Sequence, residues 1–128
     1  MTGLLCYLSE TGEDEVFQWY IAQSPEVRAA VFAILETLRH RPYPRWRRKP
    51  FGVLRGDLCA GLGEIRIEEP RGVHYRILGY LVPSETAFAL LYAFEKGSDP
   101  DYRMACPQAQ KRRYDVERNG QRVRDCQI

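Results

Sequence analysis

The sequence predicts an α+β domain: a largely antiparallel, twisted sheet of about four strands, with two N-terminal helices and one C-terminal helix. Three observations carry this. Three apolar runs rich in β-formers follow one another through residues 62–94, separated by turn-forming residues. A stretch with clear helical spacing precedes them over residues 25–39. A polar helical stretch follows them over residues 101–117. Short connections between consecutive strands favour antiparallel hairpins, and helices set before and after such a sheet belong to the α+β class. The 128 residues fit one domain able to bury a core without staples.

The elements follow in order. Residues 4–9 are a short apolar stretch, read as an edge strand. Thr11, Gly12, Glu13 and Asp14 make a turn, and residues 15–22 a short helix with Val16, Trp19 and Tyr20 on one side. Ser24 is an N-cap, with Pro25 at the first helical position and Glu26 in the first turn. Val27, Val31, Ile34, Leu35 and Leu38 keep helical spacing until Pro42 and Pro44 end the helix. Residues 45–59 read as irregular, anchored to the core by Leu54 and Leu58. Strands are expected over 62–68, 73–81 and 87–94, with turns at Pro70-Arg71-Gly72 and Pro83-Ser84-Glu85. Asp99 and Pro100 open the last helix, and Asn119-Gly120 stops it. The domain therefore covers residues 1–120, and residues 121–128 are expected to be a frayed, flexible tail.

The formal net charge of +2 announces no partner, but its distribution is uneven. From Thr37 to Gly56 there is no acid, while Arg39, Arg41, Arg45, Arg47, Arg48, Lys49 and Arg55 accumulate. Tyr43, Trp46 and Phe51 are interleaved with them, a pattern suited to holding phosphates and stacking bases. Lys111, Arg112, Arg113, Arg118, Arg122 and Arg124 make the C-terminal end basic too. The cysteines Cys6, Cys59, Cys106 and Cys126 form no C-x-x-C pair, and there are two histidines, so no metal site is expected. No signal peptide and no membrane-spanning run is read, so a cytoplasmic protein with reduced thiols is expected.

Strand side chains alternate between faces. Glu64 and Arg66 share one face, His74 and Arg76 share one, and Tyr92, Phe94 and Lys96 share one. Ile65, Ile67, Tyr75, Ile77, Ala89, Leu91 and Ala93 suit a helix-covered face. Glu64, Arg66, Arg76, Phe88, Tyr92, Phe94 and Lys96 then lie on the opposite one. That mixture of cations and aromatics suits a groove for a phosphodiester.

With those residues in hand, the chain resembles the RelE/HigB superfamily of toxins from type II toxin–antitoxin systems, most closely its HigB-like, phage-associated branch. The resemblance spans residues 17–116. It rests on the succession Leu54, Gly63-Glu64-Ile65-Arg66, Tyr75-Arg76-Ile77, Leu90-Leu91-Tyr92-Ala93-Phe94-Glu95-Lys96, then Tyr102 and Ala105. It implies a RelE-like fold and an endoribonuclease, an mRNA interferase that cuts mRNA on the ribosome, inhibits translation and is silenced by a cognate antitoxin. It also implies roles. Arg76 matches the arginine placed at the scissile phosphate, Arg66 a cation on the preceding strand and Lys96 the basic residue closing the last strand. Tyr102 matches a tyrosine tied to catalysis or base stacking. Leu62 and Glu64 stand where RelE proper has lysines, Tyr92 where the HigB-like branch often has histidine, and Gly97 where a second lysine is usual.

Metal-free RNA cleavage uses the 2′-hydroxyl as nucleophile. It needs a base, an acid for the departing 5′-oxygen, and cations for the crowded phosphorane. Arg66, Arg76 and Lys96 suit the charge stabilisation, arginine because its fork grips two phosphate oxygens. Glu64 is a candidate base, although neighbouring cations favour its charged form and weaken it as a base, and pairing with Arg66 or Arg76 is the commoner role for such a residue. Tyr92 and Tyr102 suit base stacking or proton delivery. His74, near neutrality when free, sits on the face of Arg76 and joins Arg45, Arg47, Arg48, Lys49 and Arg55 as a candidate RNA contact. The ionic alternative for Arg66 and Arg76 is pairing with Glu64, Glu68 or Asp57.

Two readings of function follow. The first is the toxin endoribonuclease, acting without cofactor or metal, with ribosome, mRNA and antitoxin as partners. The second is a catalytically silent module of the same fold that binds an antitoxin-like partner or RNA. A non-toxic nucleic-acid binder is a weaker third.

Overall fold

The structure is a computed structural model, and it describes residues 2–83, 86–97 and 100–128. The chain opens with β1 (Gly3–Tyr7), then α1 (Glu15–Ile21), α2 (Pro25–Arg39), a 3₁₀ turn (Tyr43–Arg45) and β2 (Phe51–Val53). A second 3₁₀ turn (Asp57–Cys59) leads to β3 (Gly63–Glu68), β4 (His74–Val82), β5 (Ala87–Lys96), α3 (Pro100–Arg118) and β6 (Val123–Asp125). The expected α+β class, helix order and three central strands are present. The expected N-cap Asp99 and two residues of the second turn, Ser84 and Glu85, lie outside the described residues.

Among the described residues the sheet has six strands, ordered β2-β3-β4-β5-β1-β6, where about four were expected. The two additions are three residues long. β2 lies in the segment read as irregular and pairs antiparallel with β3. β6 lies in the segment read as a flexible tail and pairs antiparallel with β1. The tail is anchored: the Cys126 N–H donates to the Leu4 carbonyl at 3.0 Å, and Arg39 donates to the Ile128 carbonyl at 3.3 Å. β1 is correspondingly not an edge strand. It runs parallel to β5 between β5 and β6, which the long intervening path through α1 and α2 permits.

The helices begin where the caps place them. The Asp14 carboxylate accepts from the Phe17 N–H at 2.9 Å, and the Ser24 hydroxyl from the Val27 N–H at 3.3 Å. α2 buries Val27, Val31, Leu35 and Leu38 against Leu4, Ile65, Ile67 and Ile77 on one face of the sheet. The aromatic residues of the basic stretch join this core. Trp46 and Phe51 are buried, and Tyr43, Trp46, Phe51 and Phe88 form a cluster with ring centroids 5.2–6.0 Å apart. The Trp46 indole N–H donates to the Leu38 and Arg41 carbonyls, each at 3.0 Å, which satisfies it in the interior. These rings are therefore core, not the base-stacking platform expected.

Helices cover both faces of the sheet, not one. α3 lies on the face opposite α2, where its small residues Ala105, Cys106 and Ala109 approach Leu62, Leu78, Ala89 and Leu91 closely. The expected division of faces fails in one stretch of β5 for a local reason. Leu78 pairs with Tyr92 but Gly79 with Leu90, so Leu91 is an inserted bulge residue. One extra residue inverts the alternation beyond it. Phe88 therefore packs with α2, and Ala89 and Leu91 face α3, the reverse of the expectation. A Cβ at Gly79 would collide with the Ala89 carbonyl and the Phe88 ring, so the bulge needs glycine there.

Two further expectations are corrected. The cysteines are not reduced thiols: Cys6 pairs with Cys126 and Cys59 with Cys106, their Cα atoms 5.0 and 5.2 Å apart. β6 brings the first pair together, and packing of the second 3₁₀ turn on α3 the second. Leu58 is 52% exposed and anchors nothing, whereas Leu62 is buried and Leu54 packs partly against it. Among the described residues no helix is long and apolar enough to cross a membrane.

Candidate functional site

The strand register assembles the site. Arg66 pairs with Arg76, which pairs with Phe94; Glu64 pairs with Leu78, which pairs with Tyr92; Glu68 pairs with His74, which pairs with Lys96. The three faces coincide as alternation requires, because all these positions lie on the turn side of the β5 bulge. α3 begins over the same face and adds Tyr102.

Glu64 is the centre. It is 4% exposed, and three side chains converge on its carboxylate. Arg66 Nε donates to Oε1 at 2.8 Å, the Tyr102 hydroxyl donates to Oε2 at 2.5 Å, and Arg76 Nε stands 3.6 Å from Oε2. Of the partners considered for the two arginines, Glu64 takes both, while Glu68 turns to His74 Nδ1 at 3.5 Å. Arg76 is 8% exposed and its Nη1 donates to the Tyr75 carbonyl at 3.0 Å. Its Nε is buried without a hydrogen-bond partner, a costly state for a charged group.

Tyr102 is held as a neutral donor. Burial, then the hydrogen bond to Glu64 and the charge of that carboxylate, push its hydroxyl up from 10.0 to about 12, with Arg76 pulling the other way. Its ring meets Phe94 edge-on at 5.7 Å, and Lys96 Nζ lies 5.8 Å from the ring centroid. Tyr92 sits one step away, 6.0 Å from Phe94, and does not contact Glu64; its ring is covered by the Arg112 guanidinium at 5.2 Å.

Arg112 is the residue that sequence reasoning missed, having grouped it with the basic C-terminal end. Its Nη1 donates to the Leu91 carbonyl at 2.7 Å, its Nη2 pairs with Glu15, and it thereby fixes the bulge beside the site. No local signal marks it, because its role depends on the bulge. Other cations of that end are likewise engaged: Arg113 with Glu117, Arg122 with Asp115 and Arg124 with Asp14.

The basic stretch behaves differently. Arg45, Arg47, Arg48, Lys49 and Arg55 are exposed, and among the described residues their side chains make no hydrogen bond or ion pair. The stretch adjoins the site. The Arg66 N–H donates to the Pro50 carbonyl at 2.7 Å, and the Arg66 guanidinium lies across Gly52, where a Cβ would strike it. Among the described residues no group of three or more His, Cys, Asp or Glu is placed to hold a metal ion.

Comparison with known proteins adds one match. The model of a family described as phage-derived protein Gp49-like (DUF891) matches residues 18–114, a span that contains every candidate residue from Arg45 to Tyr102. No curated protein and no solved structure matches the chain.

Proposed function

The chain belongs to the phage-derived Gp49-like family, and from that premise we propose that it is the toxin of a type II toxin–antitoxin system, a RelE/HigB-like endoribonuclease that cuts mRNA on the ribosome and so inhibits translation. The observation that carries the reading is the convergence of Arg66, Arg76 and Tyr102 on one carboxylate, beside Lys96, on a sheet face. A site that holds Glu64 by two guanidiniums and a phenol is built for an anion. A scissile phosphate brings the same charge and acceptor geometry.

In this mechanism the phosphate competes with Glu64 for Arg66 and Arg76, and Lys96 approaches from the open side. The released carboxylate accepts the 2′-hydroxyl proton as that oxygen attacks phosphorus. The guanidiniums hold the charge that builds on the phosphorane oxygens. Tyr102, neutral and a donor, gives its proton to the departing 5′-oxygen. The products are a 2′,3′-cyclic phosphate and a 5′-hydroxyl. Arg45, Arg47, Arg48, Lys49 and Arg55 hold the flanking RNA by its phosphates, with His74 at the outer row of the site. The system works beside ribosomes and is neutralised by a cognate antitoxin.

One observation favours the alternative, a silent module that binds an antitoxin-like partner or RNA without cutting: Glu64 is fully engaged, which leaves no free base in this state. Induced expression in a bacterium of wild type beside Arg76→Ala, with mapping of mRNA ends, separates the two. Growth arrest with new ends in reading-frame phase, absent in the variant, supports the ribosome-linked nuclease. Intact mRNA and unimpaired growth from a soluble, folded protein overturn it in favour of the silent module.

A further inference from the structure

β2 is the last strand at its side of the sheet. The hydrogen bonds from Arg66 N–H to Pro50 and from Leu54 N–H to Leu62 set the pairing parity with β3. The intervening residues alternate, so Val53 turns its N–H and C=O away from β3. The Phe51 N–H is already taken by the Arg48 carbonyl. Val53 is 68% exposed. On its side of the strand a cleft of about 460 Å³ is lined by Trp46, Phe51, Val53, Arg47 and Arg55. On the other side lies Gly52, covered by the Arg66 guanidinium that belongs to the candidate site.

From these features we infer that β2 is a docking edge for an extended, acidic segment of a partner protein that adds a further strand to the sheet. Three properties select that occupant. The free N–H and C=O of Val53 match a strand backbone, which a phosphodiester chain lacks. The two sides of the edge differ: an apolar cleft rimmed by Arg47 and Arg55 on one, the Arg66 guanidinium on the other. A strand with alternating apolar and acidic residues satisfies both at once. The surrounding stretch carries exposed cations without acidic partners among the described residues, so the complementary charge must come from outside.

The consequence is competition. An acidic side chain laid over Gly52 engages Arg66 and draws it from Glu64, in the position RNA would need. That this occupant is the neutralising partner of a toxin rests on the proposed function; the docking edge itself does not.

The test is amide chemical-shift mapping on the isotope-labelled full chain. The probe is a capped pentapeptide of alternating glutamate and valine, compared with a lysine–valine peptide and hexauridylate. The expected result is saturable shifts at Gly52, Val53, Leu54 and Arg66 with the acidic peptide and none with the basic one. Val53→Pro, which removes the edge N–H, is expected to weaken binding at least tenfold. Arg47→Glu with Arg55→Glu, which leaves the backbone alone, is expected to do the same if Val53→Pro fails to fold. An acidic peptide that moves no resonance of β2, or that binds equally well to the charge-reversed protein, overturns the inference. So does hexauridylate shifting the β2 amides where the peptide does not, which assigns the edge to RNA. A protein that binds the peptide at β2 but neither arrests growth nor cuts mRNA retains the docking edge and loses the nuclease reading.

Discussion

The Tyr102 hydroxyl in α3 donates to Glu64 Oε2 in β3 across 2.5 Å, joining residues 38 positions apart. The contact ties the helix on one face of the sheet to the one carboxylate that Arg66 and Arg76 also reach. Removing the donor with Tyr102→Phe costs about 1.5–3 kcal/mol, the range for a hydrogen bond to a charged group. The pH dependence has a fixed sign. The phenol is raised from 10.0 to about 12 in the folded state, so its contribution is complete below pH 10 and is lost as pH rises towards 12. Thermal melts of wild type and Tyr102→Phe therefore differ at pH 8 and converge across that window. Spectrophotometric titration of the variant lacks a tyrosine step near pH 12. A constant gap across pH 8–12 would contradict this.

Glu64 and Arg76 are not equivalent partners. Arg76→Ala leaves Glu64 with Arg66 and Tyr102, so the loss stays near 2 kcal/mol. Glu64→Ala leaves the nearly buried Arg76 with the Tyr75 carbonyl and the neutral Tyr102 phenol but no counter-charge, and a stranded buried charge costs about 3–5 kcal/mol. The double variant should be less destabilised than the sum of the singles, because the stranded charge is gone. Urea denaturation of the four proteins decides it. Equal or reversed single-variant losses would mean that Arg76 is satisfied by something other than Glu64.

The Cys59–Cys106 disulfide closes a loop of 47 positions that contains β3, β4 and β5. Cys59→Ala with Cys106→Ala should lower stability by about 2–4 kcal/mol, measured against the intact oxidised chain. α3 remains docked, because Gln110 still donates to the Ala60 carbonyl at 2.8 Å and Arg113 to the same oxygen at 3.3 Å. Circular dichroism at low urea should therefore be unchanged while the midpoint falls. A midpoint insensitive to both the substitution and dithiothreitol would exclude a role for this bond in stability.

What was legible in the sequence tracks how local each cause is. Ser24 with Pro25, and the 3.6-residue spacing from Val27 to Leu38, specify α2 without help from the rest of the chain. β3 and β4 alternate cleanly, so Glu64, Arg66 and Arg76 fall on one face by counting. β5 does not: Ala87 to Leu91 is apolar at every position and buried on both faces, so alternation carries no register information and the bulge at Leu91 is invisible. β2 and β6 are three residues long and exist only because distant strands offer them an edge. The aromatic residues among the arginines were misread for a related reason, since composition reveals neighbours in the chain but not which way Trp46 turns. Arg112 was missed because its acceptor is the carbonyl that the bulge displaces.

Gly52 offers a way to displace Arg66 without replacing it. Its backbone needs no special conformation, and the atoms nearest a Cβ there belong to the movable end of Arg66. Gly52→Ala should therefore fold, at a cost of about 1.5–3 kcal/mol for the lost hydrogen bond to the Glu64 carboxylate. The displaced guanidinium must leave the position from which Nε reaches Glu64 Oε1. If Arg66 contacts RNA phosphate from that position, the variant binds single-stranded RNA more weakly, and the slope of log affinity against log salt becomes shallower by about one phosphate contact, roughly 0.7 for a single strand. Titrating a fluorescent RNA oligonucleotide at several salt concentrations checks it. Weaker binding with an unchanged slope would remove Arg66 from the phosphate contacts and leave it the task of orienting Glu64. Unchanged binding by a folded Gly52→Ala would take Arg66 out of RNA recognition altogether.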